Sequence, residues 1–214
     1  MAFTFDNSSL LQSSITIIRN KDTTPIKFRN HLRKIGRYLI YEASKNFEMI
    51  DVEVTTPITN TIGRSIKNDV VIISILRAAL PMVDSIFDEF DNASLGVISA
   101  SRGPMIDEEG RKFSINMDYQ KIPNLENKIA IIVDPMLATA STIEYILENI
   151  IKSKPKQIFL LSAIASQYGV DLIEKKFPQV KVYCGVIDKE LNNKGYIVPG
   201  LGDAGDRACN TTSH

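Results

Sequence analysis

The run Val70-Val71-Ile72-Ile73-Ser74-Ile75-Leu76 constrains this chain more than any other feature. It is β-branched and apolar without alternation, so neither face of it can turn to water, and that marks a strand covered on both sides. Val83, Ile86, Phe87 and Phe90 follow it at helical spacing. Leu95 to Ser99 reads as a second strand and Lys128 to Val133 as a third, which leads into a helix with Ile143, Ile146, Leu147 and Ile150 on one face. Gln157 to Ala163 is a fourth strand, followed by a helix carrying Val170, Ile173 and Phe177, and Val180 to Val186 is a fifth. Strands alternating with helices predict an α/β fold with a doubly wound, mainly parallel sheet. At 214 residues, one domain over residues 1–214 accommodates all of it. Ahead of the sheet, Thr24-Pro25 is an N-cap and first-turn proline, and Phe28, Leu32, Ile35 and Leu39 form the apolar stripe of an N-terminal helix.

Two stretches break the strand–helix rhythm. Residues 101–121 are polar, contain Gly103, Pro104 and Gly110, and separate two core strands, so they read as a functional loop or a hairpin excursion. Residues 187–207 form a Gly- and Asp-rich segment after the last strand. In open α/β sheets ligands bind beyond the carboxyl ends of the strands, and both stretches begin there.

Charge excludes several partners. Lys plus Arg equal Asp plus Glu at 25 each, so no global field attracts nucleic acid or an anionic membrane, and any anion site is local. No Lys or Arg precedes Arg19, and the apolar runs, such as Ile129 to Val133, fall far short of the roughly 20 residues of a membrane span. A cytoplasmic protein is the expectation. Cys184 and Cys209 form no CxxC pair and read as free thiols.

Four segments carry chemistry. Ile131 to Thr142 is a buried strand, an acid (Asp134) at its tip, a loop of small and hydroxyl residues, and a helix start. The free N–H groups of a first helical turn form an anion site without net basic charge, and Thr139, Ser141 and Thr142 add hydroxyls. Ala138 and Ala140 let the backbone approach a phosphate, and Asp134 can accept hydrogen bonds from sugar hydroxyls. Ser141 and Glu144 have capping-box spacing. The lysine of a nucleotide P-loop is missing. In Ile75 to Met82, Arg77 sits in a small-residue turn at a strand tip, placed to hold a diphosphate by paired hydrogen bonds. Ser99-Ala100-Ser101-Arg102 puts a second arginine at a strand tip. In Asn192 to Arg207, glycines keep the backbone open to a flat ligand, while Tyr196, Ile197, Val198 and Leu201 are too apolar for a disordered tail. Arg29, Arg33 and Arg37 line a helix as a basic stripe, read either as a solvated face or as an effector or subunit contact.

Together the segments ILRAALPM, SASR, DPMLATAST and YIVPGLGDAGDR resemble the uracil phosphoribosyltransferases, of the type I phosphoribosyltransferase fold, from about Phe28 to Arg207. The resemblance implies formation of UMP and diphosphate from uracil and 5-phosphoribosyl 1-diphosphate, in pyrimidine salvage. It implies that Arg77, Arg102 and Asp203 are catalytic, the two arginines contacting the diphosphate. Asp134, Pro135, Met136, Leu137, Ala138, Thr139, Ala140, Ser141 and Thr142 would cradle the 5′-phosphate and ribose. Ile197, Gly202, Asp203 and Ala204 would line the uracil pocket, with Asp203 also facing the diphosphate. Residues 103–121 would form part of a hood, and 192–207 a C-terminal base-binding loop. Mg²⁺ would arrive mainly with the diphosphate and not in a dedicated protein site. The resemblance further implies a homo-oligomer, dimer or tetramer, and a GTP effector at Asn30, His31, Leu32, Arg33 and Lys34. Ala140 and Ser141 replace the family's Gly-Gly pair and Ala79 its usual Gly, and a methyl at a position needing positive φ costs roughly 1 kcal/mol. Relatives with the Ala-Ser-Thr version tend to belong to the effector-controlled group.

Other readings are weaker. A non-catalytic RNA-binding member of the fold needs a basic face that this composition denies. Purine and orotate phosphoribosyltransferases carry two adjacent acids at the strand tip, whereas Asp134 is followed by Pro135. Neither His31 nor His214 lies in a motif, which disfavours histidine-based catalysis.

Overall fold

Non-alternating apolar runs do become the sheet interior. In the computed structural model, which describes residues 2–5, 7–107, 109 and 111–211, strands β3 (Val70–Leu76), β6 (Ile129–Val133) and β8 (Gln157–Ser166) lie side by side and parallel. β4 (Ser94–Met105) flanks β3 and β9 (Val180–Asp188) flanks β8, both parallel to their neighbours. A two-residue strand, β7 (Met136–Leu137), pairs with β8 just beyond the end of β6. The antiparallel edge is β5 (Phe113–Lys121), so the strand order is β5-β4-β3-β6-β8-β9.

Each face of the sheet has its own core. On one, α1 (Ser9–Arg19), α2 (Pro25–Ser44) and α3 (Leu80–Phe87) cover Ile72, Ile131 and Leu161. On the other, α4 (Ser141–Ile150) and α5 (Gln167–Lys176) cover Ile73, Ile132 and Leu160. Thr24 caps α2 as its sequence demands, the hydroxyl accepting from the Lys27 N–H, with Pro25 at the first position.

Three sequence expectations need correction. Arg102 is not at a strand tip, because β4 runs on to Met105 and pairs with β5, placing Arg102 opposite Ile115. Within the polar stretch, residues 101–105 of β4 and 113–116 of β5 pair as a two-stranded arm, the expected hairpin excursion, with irregular register at Ser99/Ala100 and Arg102/Met105. No capping box forms at α4, since Ala140 precedes it at φ 62° and Ser141 is already helical. The Glu144 carboxylate pairs with Lys176 instead. Ala79 has φ −72°, so its methyl carries no backbone penalty. Gly110 and His214 lie outside the described residues.

Two elements were not read from the sequence. α1 packs Leu11, Ile15 and Ile18 into the core, and β1 (Met49–Thr55) pairs with β2 (Asn60–Ile66) as a separate, largely exposed hairpin. Both cysteines are free thiols, Cys184 buried and Cys209 exposed. No helix among the described residues is long and apolar enough to cross a membrane.

Candidate active site

A cleft of about 380 Å³ opens at the carboxyl ends of the strands. Its walls come from four of the predicted segments. Ile75, Leu76 and Ala78 approach from β3 and its turn; Ala100 and Arg102 come from β4. Asp134, Met136, Ala138 and Thr142 enter from the β6–α4 connection, and Gly195, Tyr196, Asp203, Ala204 and Gly205 from the C-terminal segment.

The β6–α4 connection is built as an anion cradle. Helical bonding within α4 starts with the Glu144 N–H donating to the Ala140 carbonyl, so the N–H groups of Ser141, Thr142 and Ile143 are first-turn donors without a helical partner. The Thr139 and Ser141 hydroxyls lie 3.1 Å apart, adding two polar groups at the same turn. Ala140 accepts the left-handed conformation with its methyl buried, the situation that the family's glycine avoids. The loop is held from behind. Ser166 donates to the Ala138 carbonyl at 2.6 Å and accepts from the Gly169 N–H at 2.9 Å. A Cβ on Gly169 would stand 2.5 Å from that carbonyl, so only glycine allows α5 so close to the cradle. Pro135 and Leu137 anchor the loop, the Pro135 carbonyl accepting from Ile164 and the Leu137 side chain filling the core.

Asp134 faces the cleft, and its Oδ1 accepts from the Met136 N–H at 3.3 Å. Burial of the carboxylate raises its pKa to about 6, although that hydrogen bond and the positive charge of Arg102 both pull the other way. The Arg102 guanidinium lies 5.2 Å from the centre of the Phe113 ring, so the arm restrains it over the cleft.

Arg77 is placed differently from the expectation. Its neighbours Leu76 and Ala78 line the cleft, but its own side chain is turned to the Asp206 carboxylate at 3.3 Å and to the Thr211 hydroxyl at 3.4 Å. Of the four residues expected around uracil, Asp203 and Ala204 line the cleft. Ile197 is buried and pairs with Leu191 through β11 (Ile197–Val198) and β10 (Glu190–Leu191), while Gly202 (φ 80°) shapes the turn before Asp203. Asp203 also caps the last helix, α6 (Ala204–Cys209), its Oδ1 accepting from the Asp206 N–H at 2.9 Å.

The basic stripe of α2 is mostly tied down. Arg33 pairs with Asp84 at 2.6 Å and Arg37 with Glu89 at 2.6 Å, and Arg29 donates to the Ala208 carbonyl at 2.7 Å. It is thus neither a merely solvated face nor a row of unpaired cations. Leu32 is fully buried and cannot touch a ligand, which corrects its place among the effector residues. Asn30, His31, Arg33 and Lys34 line a shallow groove with Thr24, Ile26, Lys27 and Arg37. Residues that sequence reasoning missed include Arg19, Asp188, Ser166 and Gly169: Arg19 meets Asp188 from 169 positions away, and Ser166 and Gly169 meet Ala138 from the far side of α4 along the chain.

An anion cradle at a helix start, an arginine above it and two carboxylates across one strand-tip cleft define an α/β protein that handles a phosphorylated, hydroxyl-rich small molecule. Comparison with known proteins narrows this class. The family model described as uracil phosphoribosyltransferase matches residues 5–211. A uracil phosphoribosyltransferase of Pyrococcus furiosus is 43% identical over 96% of this chain and 88% of its own length. One from Methanococcus vannielii is 44% identical with the same coverage. Among solved structures, the AQ2163 protein from Aquifex aeolicus superposes with a TM-score of 0.89 at 34% identity, covering 99% of this chain and all of that one. The chain belongs to the uracil phosphoribosyltransferase family.

Proposed function

We propose that the protein transfers the phosphoribosyl group of 5-phosphoribosyl 1-diphosphate to N1 of uracil. The C1–diphosphate and N1–H bonds break, the C1–N1 bond forms, and the N1 proton leaves with the diphosphate or to water, yielding UMP. The observation that carries this reading is the convergence of Asp134, Arg102 and Asp203–Ala204 on one cleft beside the α4 cradle. The donors of Ser141, Thr142 and Ile143 take the 5′-phosphate, and the Thr139 and Ser141 hydroxyls supplement them. Asp134 accepts from the ribose hydroxyls. The bond from C1 to the diphosphate then lengthens, building positive charge on the ring and negative charge on the leaving group. Arg102 stabilises the leaving charge, and Arg77 exchanges its loose, exposed bond to Asp206 for the diphosphate. Magnesium, if carried in by the diphosphate, would supply further charge neutralisation there. Asp134 and Asp203 are the cleft carboxylates suited to it, and among the described residues no three His, Cys, Asp or Glu form a separate metal cluster.

Base selection falls to the backbone of the C-terminal segment. Uracil offers N3–H as donor and O4 as acceptor, and cytosine reverses both, so a rigid pocket leaves buried polar groups unpaired against the wrong base. The same reading makes the enzyme cytoplasmic and homo-oligomeric. It places a guanine-nucleotide effector on the groove lined by Asn30, His31, Arg33 and Lys34, where the Lys27 and Lys34 cations suit phosphate and His31, its pKa lowered by burial and by those two lysines, stays neutral.

The test is Asp203→Asn. Asparagine caps helices about as well as aspartate, so α6 and the melting temperature should hold. Loss of the charge between base and diphosphate should lower kcat by roughly 10²-fold. Normal turnover in the folded variant would remove Asp203 from the site.

A further inference from the structure

We infer that Arg19 and Asp188, neither of which lines the cleft, form with Arg207 a clamp that presets the base-binding loop, and that they are positioning residues for the choice of base. The inference rests on the uracil reading above. Asp188 ends β9 and Arg19 ends α1, and their side chains meet in a two-pronged pair at 2.7 and 2.9 Å. The pair is well shielded, Asp188 being 7% exposed and Arg19 23%. Burying such a pair gains little stability over apolar packing, but every hydrogen-bonding arm used fixes geometry.

What the arms hold is one residue of the base loop. The Asp188 carboxylate accepts from the Gly200 N–H at 3.0 Å, and the same Arg19 guanidinium donates to the Gly200 carbonyl at 2.8 Å. Gly200 thus has both of its backbone polar groups gripped by one ion pair. Only glycine fits there: φ is +59°, and a Cβ would stand 2.2 Å from the Ile197 carbonyl.

The next residue is held by a second arginine. Arg207 donates to the Leu201 carbonyl at 2.7 Å and to the Ile18 and Asn20 carbonyls at the C-terminal end of α1. Those carbonyls lack helical partners, and a cation there also meets the negative end of the helix dipole. The Arg207 guanidinium lies 4.4 Å from the centre of the Phe28 ring. Gly200 and Leu201 stand directly before Gly202, Asp203 and Ala204, so the clamp decides where the backbone at 202–204 sits. With the preceding residues tied behind the loop, the polar groups at 202–204 keep a fixed orientation toward the cleft.

The clamp holds the loop on the base side of the cleft and, among the described residues, has no hydrogen bond to the α4 cradle, which gives it a distinctive signature. In the intact enzyme, Asp188→Asn should raise KM for uracil at least tenfold while KM for 5-phosphoribosyl 1-diphosphate changes less than threefold. The ratio of kcat/KM for uracil over cytosine should fall. Arg19→Lys keeps the charge but lacks the fork needed to hold Asp188 and Gly200 together. It should show the same pattern more weakly, and it serves as the test should Asp188→Asn fail to fold. Equal changes in both KM values, or a lowered melting temperature with unchanged base preference, would reduce the clamp to a structural tie and overturn the inference. Wild-type enzyme that does not use uracil would instead overturn the reading on which it rests.

Discussion

Asp134→Asn separates what the site costs the fold from what it gives the reaction. The carboxyl of Asp134 titrates near 6 in the folded protein against an ordinary 3.8, because burial disfavours its charged form. Between pH 4 and pH 6 the folded state therefore holds a proton that the unfolded chain has already released. Stability falls as pH rises through that window and stays lowered above it. At 1.36 kcal/mol per pH unit, the gap sets an upper bound of about 3 kcal/mol at neutral pH. Asparagine keeps an oxygen to accept the Met136 N–H and carries no charge to desolvate. In the ligand-free protein, Asp134→Asn should raise the melting temperature at pH 8, by several degrees at about 2–4 °C per kcal/mol for a chain of this size. At pH 4 wild type and variant should melt together. UMP formation should drop by roughly 10²-fold, because the ribose hydroxyls lose their ionised acceptor. Thermal melts at the two pH values with a turnover assay check all three statements. A variant no more stable than wild type at pH 8 would refute the argument from burial.

Two further outcomes follow from packing and charge. Gly169→Ala would press a methyl against the Ala138 and Leu137 carbonyls, at 2.5 and 3.0 Å. It should cost about 1–3 kcal/mol and weaken UMP binding, read by denaturation and calorimetry. Arg33→Glu breaks a half-exposed pair with Asp84, so stability should change by about 1 kcal/mol or less. If the α2 groove takes the effector, the response of activity to GTP should change, and an unaltered response would remove Arg33 from it.

Much of the fold was legible because burial on both faces leaves an unmistakable imprint. Val70 to Leu76 and Ile129 to Val133 cannot be mistaken for half-exposed strands, and their tips mark the cleft. The β1–β2 hairpin leaves no such imprint, since its residues are mostly exposed and its alternation, Ile50-Asp51-Val52-Glu53-Val54, is short. α1 does show Leu11, Ile15 and Ile18 at helical spacing, a signal that was there to be used. At the cleft, motifs identified the segments but not the direction of each side chain. Arg77 turns to Asp206, a partner 129 positions along the chain, and Arg102 is carried past the strand tip by pairing with β5. Arg19 and Asp188 belong to no motif, and their role exists only once α1 and β9 have come together.

The proposed base-specific phosphoribosyl transfer at the strand-tip cleft can be followed by incubating the protein with 5-phosphoribosyl 1-diphosphate, Mg²⁺ and, separately, uracil, cytosine, orotate or hypoxanthine, and measuring nucleotide and diphosphate together. UMP and diphosphate should form in equal amounts with uracil, dependent on Mg²⁺, and reaction with the other three bases should be far slower. No UMP from uracil, or equal turnover of cytosine, would contradict the proposed transfer.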